Sequence, residues 1–198
     1  MNYNAIDVAK WLLTEEKRQR IPMTHMKLQK LLYYAQAYII GMTGEQLFNN
    51  KIEAWTHGPV VPDVYSKYKK YGNDVINDVD NVKIPDELSS LISMIIQDKG
   101  NLSAHELREA THNETPWQEA CNTPDKIITN DMIAVYFSSQ FWTSDEEDYY
   151  QPYFDSIDEE EKYIHSKIME EADDEDKFWM SVGKPVSIEK LKDVITEI

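Results

Sequence analysis

Signals that start helices recur along this chain up to about residue 140, each followed by apolar residues at helical spacing, so a packed set of helices is the fold they dictate. Asn4 can cap a first helix whose residues Ala5, Val8, Ala9, Leu12 and Leu13 share one face. Thr24 can cap a second, with Met23 and Leu28 at the two positions of a hydrophobic staple and Gly41 as its left-handed stop. A third is expected to open at Pro59 or Pro62 and to end at Gly72, and a fourth to run from Pro85 to Gly100. Ser103 and Glu106 form a capping box, Thr115 with Gln118 reads in the same way, and Thr129 begins a helix through Tyr136 and Phe137. Between these signals Lys51 to Thr56 is short and apolar, which fits an extended segment, and Gly58-Pro59 reads as a tight turn. Asn73 to Lys83 reads as a polar connection. The expected fold is mainly α: a compact multi-helix domain of about seven helices, with at most a small β element near residues 51–56.

The second helix has two faces. Leu28, Leu31, Leu32, Ala35 and Ile39 form an apolar stripe that must point inward, whereas Lys27, Lys30 and Tyr34 share another direction, at i, i+3 and i+7. The spacing predicts a solvated flank there, open to a partner.

Charge divides the chain. The net charge is −16, and residues 139–198 hold 18 of the 36 carboxylates but 6 of the 20 basic residues. The expected organisation is therefore a helical domain over 1–140 and an acidic extension over 141–198. The extension has its own helix signals at Ser156 with Glu159 and at Ser187, the first followed by only a thin apolar face, Ile157, Ile164 and Ile168. Direct nucleic-acid binding is disfavoured, because neutralising phosphates takes clustered Lys and Arg. No stretch reads as a membrane span, and the N-terminus MNYNAIDVAKWLL lacks the basic start and cleavage site of a signal peptide, so a cytoplasmic location is expected. The single cysteine, Cys121, has no disulfide partner in the chain and reads as a small buried hydrophobe.

Motifs for catalysis are missing. There is no phosphate loop, dinucleotide fingerprint, nucleophile elbow or H-E-x-x-H, and six glycines leave little to cradle a phosphate. His105, Glu109 and His112 could share a helix face, but a structural zinc asks for four specified ligands. Cys121 with His112 as its base lacks the electropositive setting of a reactive thiol. The acidic run Asp173 to Asp176 lacks the alternation and glycine of a calcium loop. No catalytic residue, metal or cofactor is expected.

One set of residues goes further than spacing does. Lys27-Leu28-Gln29-Lys30-Leu31-Leu32-Tyr33-Tyr34, then Leu47-Phe48, Glu53-Ala54-Trp55, Gly58-Pro59-Val60, and Pro62 followed by Tyr65, resemble the Panacea domain, the SocA-type antitoxin family of bacteria and their phages. Leu102-Ser103, His112 and Pro116-Trp117 look like its second half, so the likeness covers roughly residues 5–138. His57 stands where the family often has an aromatic residue. The resemblance implies a non-catalytic protein that neutralises a co-encoded toxin by direct contact, or hands it to a protease as an adaptor. The acidic extension adds a different reading, a phage counter-defence protein that imitates DNA and occupies a basic site on a defence protein. Under the antitoxin reading the expected partner surface gathers Lys27, Lys30, Tyr34, Trp55, His57, Pro59 and Tyr65, with Trp55 and Tyr34 as aromatic anchors.

Overall fold

The computed structural model describes residues 3–77 and 82–141. The expected acidic extension, with its helices at Ser156 and Ser187, lies outside the described residues apart from Phe141. Among the described residues the chain forms α1 (Ala5–Gln19), α2 (His25–Thr43), β1 (Ile52–Trp55), β2 (Gly58–Val60), α3 (Pro62–Tyr68), α4 (Asp86–Lys99), α5 (Ala104–His112), α6 (Thr115–Cys121), β3 (Ile127–Ile128) and α7 (Asn130–Phe141). This is the mainly α architecture expected, with one small sheet in the order β2-β1-β3.

The helix starts lie where cap chemistry puts them. Asn4 accepts the Ile6 N–H at 2.8 Å, and Thr24 caps α2 through the Lys27 N–H. Ser103 and Glu106 close a reciprocal capping box, with bonds of 3.2 and 2.7 Å. Pro62 opens α3, which tightens into a 3-10 turn over Lys69–Tyr71 and ends at Gly72. Lys67 and Lys70 lie over the rings of Tyr68 and Tyr71, so these lysines are explained without a ligand.

Helix α2 is the axis of the domain. It packs against α1, α3, α4, α5, α7 and β2, and all of its residues except Met26 and Met42 are buried. Two expectations fail here for that one reason. Gly41 does not stop the helix: Gly44, at φ +69, does so, and Gly41 lies inside, where a Cβ would come within 2.7 Å of the Phe141 ring and 2.9 Å of Phe137 Cβ. A glycine there lets α7 lie close along α2. The solvated flank of Lys27, Lys30 and Tyr34 is also absent, since these residues are 5%, 1% and 1% exposed. A helix surrounded by neighbours has no outer face, and its polar side chains must find partners inside.

The hairpin departs from expectation by two residues. The turn is Thr56–His57, flanked by the pair Trp55↔Gly58, and Gly58-Pro59 belongs to β2. Thr56 and His57 keep negative φ, while Gly58, at φ +93, takes the conformation that a side chain would disfavour. β3 extends the sheet by pairing Ile52↔Ile128. Thr115 is not the cap of α6; Glu114 occupies that position, with its side chain turned inward to other work. The segment after Gly72 is less polar in place than in sequence: Ile76 is buried and donates its N–H to Met23 O at 2.9 Å.

Candidate functional site: a cleft between α2 and the hairpin

The polar residues of K-L-Q-K-L-L-Y-Y-A-Q hold several distant parts of the chain to α2. Lys27 Nζ lies 3.6 Å from Glu16 Oε1 of α1 and donates to the Gly100 carbonyl. Gln29 Oε1 accepts the Val61 N–H at 2.8 Å, and Lys30 Nζ donates to Pro59 O at 2.9 Å, so two neighbouring side chains hold β2 and the start of α3. Tyr33 and Tyr34 donate to the two oxygens of Glu114, at 2.7 and 2.8 Å. Gln36 Oε1 accepts from Leu47 N and Phe48 N, both at 3.0 Å. A backbone group or carboxylate sealed from water needs such a partner, and α2 supplies one at nearly every turn.

Burial shifts the ionisable members of this set. It pushes the Glu16 carboxyl up to about 8 against the opposing pull of Lys27, and it lowers Lys30 to about 7, helped by the nearby Arg108 charge. Burial raises the Tyr33 and Tyr34 phenols well above their usual range, with the Glu114 carboxylate adding to the effect. A carboxyl whose folded pKa lies above its unfolded value of 4.5 contributes stability that is lost as pH climbs from 4.5 through about 8. Wild type is therefore expected to lose stability relative to Glu16→Gln over that window, measured by urea unfolding at successive pH values. A constant difference between the two would show that Glu16 ionises as an ordinary carboxylate.

Beside the Lys30–Pro59 contact the hairpin stands off α2 and leaves an open cleft of about 600 Å³. Its walls include His25, Met26, Gln29 and Lys30 from α2, Trp55, Thr56 and His57 from the hairpin, Tyr65 from α3, and Lys126. Tyr65 lies between two rings, with centroids 4.7 Å from His25 and 4.8 Å from Trp55. Trp55 is half-buried and fixed: its Nε1 donates to Glu53 Oε2 at 2.7 Å, and its carbonyl accepts the Trp117 indole N–H at 3.1 Å. Trp117 in turn stacks on His112 at 3.8 Å, which explains why a motif about sixty residues away belongs with the hairpin. His105 is exposed, and among the described residues no group of His, Cys, Asp and Glu is placed to hold a metal ion. Cys121 is half-buried, with its thiol raised by burial.

The seven residues singled out from the sequence thus separate. Lys30, Trp55, His57 and Tyr65 meet at the cleft, and Pro59 contributes the carbonyl that Lys30 holds. Lys27 and Tyr34 are interior ties to Gly100 and Glu114. Three further wall residues, His25, Met26 and Gln29, carry no signal in amphipathic spacing, and Lys126 reaches the cleft from sixty residues beyond Tyr65.

Fold and cleft together define a helical scaffold with an aromatic-walled opening. The model of the antitoxin SocA-like, Panacea domain matches residues 28–118, the span from α2 to α6. Antitoxin SocA of Caulobacter vibrioides (strain NA1000 / CB15N) is 29% identical over 131 residues, covering 59% of this chain and 70% of the relative. No solved structure matches. Both likenesses fall inside the 5–138 span expected from the motifs or run close to its length, and they support an antitoxin role. Among the described residues no helix is long and apolar enough to cross a membrane.

Proposed function

We propose that the protein is an antitoxin that neutralises a co-encoded toxin by binding it, making and breaking no bond, and that the cleft face is where the toxin docks. The observation that carries this reading is the pairing of Trp55 with Tyr65 at the mouth of a cleft whose floor is tied to α2 by buried hydrogen bonds. Half-exposed aromatic rings held rigidly beside a concavity lose little entropy on binding and exclude water from a large area. Most of the cleft lies within the span that the family shares.

The test is growth rescue. Expressing the product of the adjacent gene should arrest growth, this protein should restore it, and the two should copurify. Replacing Trp55 or Tyr65 by alanine should weaken the complex by about thirtyfold or more, and replacing both by more than either alone, since anchors of this type contribute about 2 kcal/mol or more each. Rescue that persists undiminished in the double variant, with the fold intact by circular dichroism, would move the docking site elsewhere. A harmless neighbour and the absence of any copurifying partner would end the antitoxin reading.

A further inference from the structure

We infer that the cleft is built to accept a carboxylate side chain, flanked by apolar residues, presented by a protein partner; this deepens the docking reading above and rests on it. Three polar side chains of its α2 wall are more than nine-tenths buried: His25 at 7%, Gln29 at 2% and Lys30 at 1% exposed. The Val61 N–H occupies Gln29 Oε1 and so fixes which end of the amide is which, leaving Nε2 as a buried donor with no hydrogen-bond partner. His25 Nε2 is likewise buried and without a partner, and it donates in the tautomer that carries the proton there. Lys30 commits one N–H to Pro59 O, and a lysine amino group, charged or neutral, has others to offer. Buried donors left unpaired are costly, and the group that relieves several at once is one rich in acceptors.

Charge points the same way. The chain carries a net −16, yet among the described residues no Asp or Glu lines the cleft, while Lys30 lies in its wall and Lys126 and His57 are exposed at its rim. A donor-lined opening with basic residues in its wall and at its rim is complementary to a single negative charge on a partner's side chain. The apolar walls, Trp55 and Tyr65, suit a carboxylate with hydrophobic neighbours on the same segment and would strengthen each charge-assisted bond by excluding water.

The experiment uses the isotope-labelled full chain and two probe peptides, Ac-Gly-Phe-Glu-Phe-Gly-NH2 and its counterpart with Gln in place of Glu. The acidic peptide should shift the Gln29 side-chain amide and Trp55 indole resonances at about tenfold lower concentration than the neutral one. Gln29→Glu keeps an acceptor for the Val61 N–H but removes the donor, and should abolish that preference. Lys126→Glu, at the exposed rim, should weaken binding of the acidic peptide severalfold, and more so at low salt. Equal response to the two peptides, or none up to about 10 mM, would overturn the inference. So would inorganic phosphate matching the acidic peptide, which marks a free-anion site. Movement of the same resonances when Asp145, Glu146, Glu147 and Asp148 are changed to their amides would also overturn it, because the occupant would then be the chain's own extension. Failed growth rescue with the acidic preference intact sinks the antitoxin reading alone, and rescue without the preference sinks this one alone.

Discussion

Replacing Glu114 by alanine is expected to cost about 3–5 kcal/mol, because two buried phenols lose their acceptor at once. Glu114 lies at the junction of α5 and α6, 8% exposed, and each of its oxygens takes one tyrosine hydroxyl of α2. The Tyr33 and Tyr34 rings meet edge-on, with centroids 5.4 Å apart, and Phe137 packs against both, so neither can swing out to water without opening the core. The urea midpoint should fall while its slope stays constant, the sign of lost stability without a changed unfolded state. Glu114→Gln keeps one carbonyl oxygen and should lose about half as much. A loss below about 1 kcal/mol for the alanine variant would mean that both hydroxyls find water.

Gly58→Ala is expected to cost about 2–4 kcal/mol, although it adds a single methyl group. Two effects add. At φ +93 the backbone is in a region that disfavours any Cβ, and the new atom would lie 2.8 Å from Lys30 Nζ and 2.9 Å from Thr111 Oγ1. A flexible lysine tip would ordinarily step aside, but this one is sealed in and donating to Pro59 O, so moving it breaks the hydrogen bond that holds β2 to α2. Thermal unfolding would show the loss, and a concurrent shift in the Trp55 indole resonance would show that the cleft wall moves with the hairpin. If Lys30→Ala in the same chain restores part of the lost stability, the close approach is the main cause; if it restores none, backbone strain is.

Much of this fold is legible in the sequence because it is written in local chemistry. The caps at Asn4, Thr24 and Ser103 and the proline at 62 act within one helical turn, so their positions follow from their neighbours alone. The expectations that failed depended on distant residues. Nothing near Gly41 announces that α7 will cross it closely, or near Glu114 that two tyrosines eighty residues earlier will claim its carboxylate and make it the cap of α6. Lys27, Lys30 and Tyr34 read as a wet surface because amphipathic spacing assumes a helix with one inner side, and α2 has no outer one. Trp55, His57 and Tyr65 were recoverable as a group only through family likeness; their convergence with Gln29 and Lys126 is a product of the hairpin's placement, which no spacing rule contains.

The division of labour along α2 bears on how such a protein diversifies. Its interior ties leave little room for change, whereas Thr56, His57 and Lys126 are exposed at the cleft rim, and Met26 is one of the two α2 residues not fully buried. Under the docking proposed above, substitutions at those four positions would alter which molecule is held without disturbing what holds the domain together. A change of partner would then require no change of framework.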